Sequence, residues 1–154
     1  MRIESRGICN SRYVSELHPS LGNALLRAQR IAHPSSMVSA LKDVVGVWGE
    51  EYATRFLVRQ GFSLIARNLR TAIAEVDVVL SEENTLVLCE VKTRTSARAG
   101  IAAEAIDVHR IARLRKTAEL LLPDFPEFQK VRVDAVLIDV SATALSINHI
   151  RGLE

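Results

Sequence analysis

Asp77, Glu90 and Lys92 are the residues of this chain best placed to do chemistry, because all three fall inside or at the end of runs of valine and leucine. Glu90 and Lys92 are two residues apart. On a strand they project from one face, while Val91 projects from the other. The polar cluster from Ser81 to Thr85 separates two β-rich runs, Glu75 to Leu80 and Leu86 to Thr93, which is the pattern of an antiparallel hairpin. With the turn centred on Glu83 and Asn84, facing residues have numbers that sum to 167, and Asp77 stands opposite Glu90. A register one residue off would put Cys89 or Val91 there instead. Two carboxylates roughly 5 Å apart on paired strands repel unless a cation lies between them. A hard divalent ion with oxygen ligands, Mg²⁺ or Mn²⁺, offsets the cost of burying them. Lys92, at the strand end, reaches the rim, where its ammonium can orient a water or neutralise charge on a phosphoryl group. The plain alternative is an ordinary Glu90–Lys92 ion pair with Asp77 as a turn-proximal acid, since a bare Glu-x-Lys is a weak signal. Context separates the two: this pair ends an apolar strand, follows an acid on the neighbouring strand, and leads directly to Thr93, Arg94 and a basic helix.

The elements that must position these residues can be read from periodicity. From Ser39, Leu41, Val44, Val45, Trp48, Tyr52, Phe56 and Leu57 recur at helical spacing, and Gly61 supplies the stop. Phe62 to Asn68 is a short strand, followed by the hairpin. A loop from Thr95 to Gly100 leads to a helix from Ala102 to Leu122, ended by Pro123 and Pro126. Val131 to Val140 and Ala144 to Ile150 are the last strands. The expected class is α/β, ordered helix, three strands, helix, two strands. Residues 1 to 36 carry Gly7, Pro19, Gly22, Pro34 and paired serines that interrupt every apolar run, with a short helix over Leu21 to Ile31. They are read as an extension, disordered or upstream of a natural start at Met37, and residues 37 to 154 as the domain.

Composition narrows the function classes. A hydrophobic content of 48% over 154 residues can bury one core, and 25% charged residues fit an ordinary globular chain. Cys9 and Cys89 are too few for a disulfide framework and lack zinc-site spacing, which suits a reducing, cytoplasmic setting. No apolar run approaches the roughly 20 residues needed to span a bilayer. Cys89 reads as packing. His18, His33, His109 and His149 have no ligand spacing and read as surface residues. The net charge of +2 is mild, but residues 94 to 116 hold six Lys/Arg against two acids. Ile111, Leu114, Ala118 and Leu121 form the inward stripe of the second helix, leaving Arg110, Arg113 and Lys116 on another side. That side is either a solvated face or a row of phosphate contacts. Each phosphate neutralised would steepen the log–log salt dependence of binding by about 0.9.

The segments Gly46 to Ala53, Gly61-Phe62, Ala66 to Arg70, Glu75 to Val79, Glu90 to Arg94, Glu104 to Asp107, Arg113-Leu114 and Arg132 to Val136 together resemble the YraN-type uncharacterised bacterial family. That family is placed in the PD-(D/E)XK restriction-endonuclease-like superfamily. The resemblance implies a restriction-endonuclease-like core, a central mixed β-sheet flanked by helices, with metal held by Asp77, Glu90 and the carbonyl of Val91. It matches Lys92 to the superfamily's lysine and Glu50 to an acid on the first helix that often completes the site. Read by itself, Glu50 is either such an acid or a solvated glutamate beside Glu51. Glu75, on the face of Asp77, is a further ligand or a neighbour. Three positions depart from the family pattern: Ala74 replaces a glycine, Leu69 an aromatic and Arg110 a lysine.

The expectation that follows is a Mg²⁺- or Mn²⁺-dependent endonuclease acting on DNA, including branched DNA. Glu50, Asp77, Glu90 and Lys92 would be its catalytic residues, and Arg94, Arg98, Arg110, Arg113 and Lys116 its nucleic-acid contacts. Two-strand cleavage would call for a homodimer. A non-catalytic nucleic-acid-binding module and a protein-interaction scaffold are the alternatives.

Overall fold

A computed structural model describes residues 34–95, 106–141 and 144–154. The expected helix over Leu21 to Ile31, and the expected helical start at Ala102, lie outside them. The first helix, α1, runs Pro34–Arg59, starting five residues before the periodic pattern does. Proline is preorganised for the first helical position, so Pro34 opens the helix rather than interrupting it. Its end is as expected. Gly61 adopts φ +97°, its N–H donates to the Val58 carbonyl at 3.1 Å, and the Phe62 N–H donates to that of Leu57 at 3.2 Å. This is the Schellman arrangement that glycine permits.

Strands β1 (Ser63–Arg70), β2 (Glu75–Glu82) and β3 (Thr85–Arg94) follow, then helix α2 (Val108–Leu121), β4 (Lys130–Val140) and β5 (Leu145–Ile150). Ile106 and Asp107 are not helical. Asp107 instead caps α2, its side chain accepting from the His109 N–H at 2.9 Å. The five strands form one mixed sheet in the order β1-β2-β3-β4-β5, antiparallel except for the parallel β3–β4 pair. That pair requires a crossover, which contains α2.

The sheet is covered on both sides. Val87, Cys89 and Val91 of β3 join Ala53 and Leu57 of α1 in one core, with Trp48, Tyr52 and Phe56 packed against it. Leu86 and Leu88 join Ile111, Leu114 and Ala118 of α2 in the other. Alternation along β3 therefore sends odd positions toward α1 and even positions, Glu90 among them, toward α2.

Helix α1 crosses β3 where Gly49 meets Thr93. A Cβ on Gly49 would lie 1.8 Å from Thr93 Oγ1 and 3.0 Å from Thr93 Cβ. Gly49→Ala should therefore cost about 1–3 kcal/mol through overpacking, more than the up to about 1 kcal/mol that alanine gains over glycine in a helix. Gly46→Ala, with nothing within 4 Å, should show only the gain. Thermal melts of the two variants test the crossing, and a Gly49→Ala protein as stable as Gly46→Ala would contradict it.

Candidate metal centre

The β2–β3 hairpin has the expected register. Val78 pairs with Cys89, Val79 with Leu88, and so on to Glu82 with Thr85 around a two-residue turn at Glu83-Asn84. Glu83 takes φ +51° there, and the Asn84 carbonyl accepts from the Gln129 N–H at 2.8 Å, tying the turn to the start of β4. Asp77 stands one position beyond the last paired residues. Its Oδ2 accepts the Val91 N–H at 2.8 Å, so a carboxylate takes the place of a ladder carbonyl.

Glu90 is 5% exposed in the middle of the sheet, while Asp77 is partly buried. Lys92 shares the face of Glu90, with Nζ 3.4 Å from Glu90 Oε1, and is itself exposed. The three residues singled out by spacing thus converge at one end of the β2–β3 pair. Arg110, in the first turn of α2, is also present. Its Nε donates to Glu90 Oε2 at 2.6 Å, and its Nη2 to Asp77 Oδ1 at 3.2 Å and to the Glu75 carbonyl at 3.1 Å. One guanidinium therefore touches both carboxylates.

Burial is the largest influence on the Asp77 carboxyl, followed by the Glu90 charge; together with the charge of Glu50 they push its pKa up to about 7. The Val91 N–H and Arg110 pull the other way without cancelling them. An unfolded aspartate ionises near 3.8, so between that pH and about 7 the folded state binds the extra proton. Stability of the metal-free protein should fall as pH rises through that window. In EDTA at pH 8, Asp77→Asn should be more stable than the wild type by on the order of 1–3 kcal/mol. Thermal melts from pH 4 to 8 check this, and a slope of the opposite sign attributable to residue 77 would refute it.

The residues fit a hard cation in one respect beyond the acid pair. Glu50 Oε2 is buried without a hydrogen-bond partner among the described residues, and the Glu50 charge reaches Asp77. Such an orphaned oxygen calls for an ion or water. The adjoining Glu51 is not simply solvated: it is paired with Arg55 at 2.8 Å and with Arg67. No three carboxylate, imidazole or thiolate side chains form a ready cage among the described residues. An ion held here would therefore draw on Asp77 and Glu90 together with a main-chain carbonyl, expected from Val91, and water.

The expected nucleic-acid contacts divide. Arg113 and Lys116 are exposed on α2, whereas Arg94 is half-buried at the end of β3. Arg98 lies outside the described residues. Arg110 faces the carboxylates instead of solvent, because the buried Glu90 and partly buried Asp77 next to its helix attract the nearest long cation. Spacing alone could not reveal this, since Arg110 shares a heptad side with Arg113; only packing of α2 onto β3 brings it to Glu90.

A second polar cluster lies on the α1 side of the sheet. Asp134, fully buried, accepts from Arg132 Nε at 2.8 Å and Nη2 at 3.0 Å, and from the Gly152 N–H at 3.0 Å, and pairs with His149 Nε2 at 3.0 Å. Arg132 and Asp134 are two residues apart on β4 and so share one strand face. The surface reading of His149 is corrected: its side chain is only 11% exposed, edge-on to Phe62 with ring centroids 5.6 Å apart. A polar β5 residue facing Asp134 is held there by the hydrogen bond. Cys89 is buried packing, as expected.

No helix among the described residues is long and apolar enough to cross a membrane. Comparison with known proteins places the chain by sequence. A family model for the uncharacterised protein family UPF0102 matches residues 49–138. A UPF0102 protein of Nocardioides sp. is 38% identical over 121 residues, covering 77% of this chain and 98% of the relative. One from Roseiflexus castenholzii is 41% identical over 110 residues, covering 69% and 89%. One from Thermus thermophilus is 39% identical over 107 residues, covering 68% and 92%. The matched segment contains Glu50, Asp77, Glu90, Lys92 and Arg110, and this chain belongs to the uncharacterised protein family UPF0102, the YraN family.

Proposed function

We propose that this protein is a PD-(D/E)XK nuclease that hydrolyses phosphodiester bonds in DNA, branched DNA included, using Mg²⁺ or Mn²⁺. The metal would be held by Asp77, Glu90 and the carbonyl of Val91. The observation that carries the reading is that one cationic group already bridges the partly buried Asp77 and the buried Glu90, set among apolar strands. Two carboxylates in that position are costly without a counter-charge, and a divalent ion supplies twice the charge of a guanidinium.

When bound, the metal would supply Lewis-acid activation of water and of the phosphate. The protein's own groups do the rest. Asp77 is held in place by the Val91 N–H on Oδ2, and Oδ1, the oxygen that meets Arg110, would serve the cation. Glu90 is fixed by burial. The Lys92 ammonium, exposed beside Glu90, offers a proton donor and a positive charge to an incoming phosphate. Glu50 contributes a buried oxygen and negative charge on the α1 side. Arg113 and Lys116, with Arg94 and Arg98, would hold the flanking phosphates, and a homodimer would present two such sites to the two strands.

A non-catalytic nucleic-acid-binding module is the second reading, and it draws on the same arginine: a guanidinium satisfying the acid pair could be its final occupant. The two separate on linear duplex and four-way-junction DNA incubated with Mn²⁺ or Mg²⁺. The nuclease should cleave at least one substrate, stop on addition of EDTA, and lose activity in Lys92→Ala while still binding DNA. Binding with no cleavage in either metal would install the second reading, and absence of binding at low salt would overturn both.

A further inference from the structure

The contacts of Arg110 give it a role that neither a phosphate ligand nor a surface charge would have. We infer that Arg110 is a resident counter-cation of the acid pair, which a divalent metal must displace and which a DNA phosphate helps to withdraw. This rests on the reading of Asp77 and Glu90 as the metal site.

Three acceptors converge on this one side chain: Glu90 Oε2 at 2.6 Å, Asp77 Oδ1 at 3.2 Å and the Glu75 carbonyl at 3.1 Å. It is well buried for an arginine, at 23% side-chain exposure. A hard cation coordinates carboxylate oxygens at about 2.0–2.6 Å, so it uses the oxygens that the guanidinium occupies. Two positive charges would then meet in a partly buried pocket. Metal and guanidinium thus compete, and the affinity for metal is lowered by whatever Arg110 contributes to the pair.

Arg110 also sits in the first turn of α2, whose Arg113, three residues on, and Lys116 are exposed. A phosphate near that face attracts the same side chain outward. Metal and DNA then each remove a competitor of the other, and by linkage the coupling is reciprocal. A lysine here could not bridge as Arg110 does, because an ammonium is a point charge without the planar fork.

The test is Mn²⁺ binding, followed by the paramagnetic resonance of free Mn²⁺, in the wild type, Arg110→Gln, Arg110→Lys and Asp77→Ala. Arg110→Gln should bind Mn²⁺ about tenfold more tightly than wild type, with Arg110→Lys between them, while Asp77→Ala loses the site. If Arg110→Gln fails to fold by circular dichroism, Arg110→Lys carries the comparison. In the wild type, saturation with Mg²⁺ should also release the Arg110 Nε–H, which is seen as faster solvent exchange of its NMR resonance.

Equal affinities in wild type and both Arg110 variants, abolished by Asp77→Ala, would overturn this inference and leave the metal site standing. No Mn²⁺ binding in any variant would overturn both. Anisotropy of a labelled duplex, with and without Mn²⁺, tests the coupling. The metal should tighten DNA binding more in wild type than in Arg110→Gln, and an equal effect in the two would refute it.

Discussion

Asp77→Ala is expected to reduce the proposed metal-dependent DNA cleavage by about a thousandfold with the fold intact, the scale on which loss of a group that stabilises transition-state charge acts. The substitution removes one of the two side-chain oxygen donors proposed for the ion and also the acceptor of the Val91 N–H at 2.8 Å, so the neighbouring backbone loses its anchor as well. Folding should survive because Asp77 lies beyond the last paired residues of the β2–β3 ladder, and because its charge is held in the fold against burial and the Glu90 repulsion. Cleavage of a labelled duplex or junction in Mn²⁺, with a thermal melt of the same sample, measures both parts. Residual activity within tenfold of wild type would remove Asp77 from the catalytic set, even if the metal dependence persisted.

Asp134→Ala should have the largest effect on stability, a loss of about 3–5 kcal/mol. Burial pushes the Asp134 pKa up, but His149, Arg132 and the Gly152 N–H together bring it below the ordinary carboxylate value. A fully buried carboxylate that stays ionised is therefore compensated on all sides. Removing it strips the Arg132 guanidinium of its buried partner, leaving it Glu82 at 2.7 Å and the face of the Phe62 ring, and frees the chain at Gly152. Because the folded pKa is depressed, the contribution is fully present above about pH 4 and is lost as pH falls through the lower folded value. Urea melts at pH 7 should show the loss, and the gap between wild type and Asp134→Ala should narrow in acid. A variant within 1 kcal/mol of wild type at pH 7 would show that the cluster is only decorative. DNA cleavage per folded molecule should be unaffected, since the cluster lies on the α1 side and the acid pair on the α2 side.

The hairpin shows how far the pattern reaches. Turn residues between two valine-rich runs fix where the strands reverse, and a two-residue period then fixes which numbers face one another, so the register from Glu82–Thr85 to Val78–Cys89 follows from spacing alone, while Asp77, expected opposite Glu90, stands one position beyond the last pair. The start of α1 was less legible, because Pro34 and two serines break an apolar period without breaking a helix. His149 was misread for a related reason: a polar residue has no periodicity of its own, and its burial depends on a partner fifteen residues away, Asp134.

By itself the sequence determined the α/β class, the hairpin register, the common face of Glu90 and Lys92, and the family, because these depend on local periodicity, turn chemistry and motif order. Only the tertiary structure decided that Arg110 closes over the acid pair, that Gly49 admits Thr93, and that Asp134 binds the end of the chain. Those contacts join residues from separate elements. Their distances are set by how the helices pack on the sheet, a property that no single stretch of chain encodes.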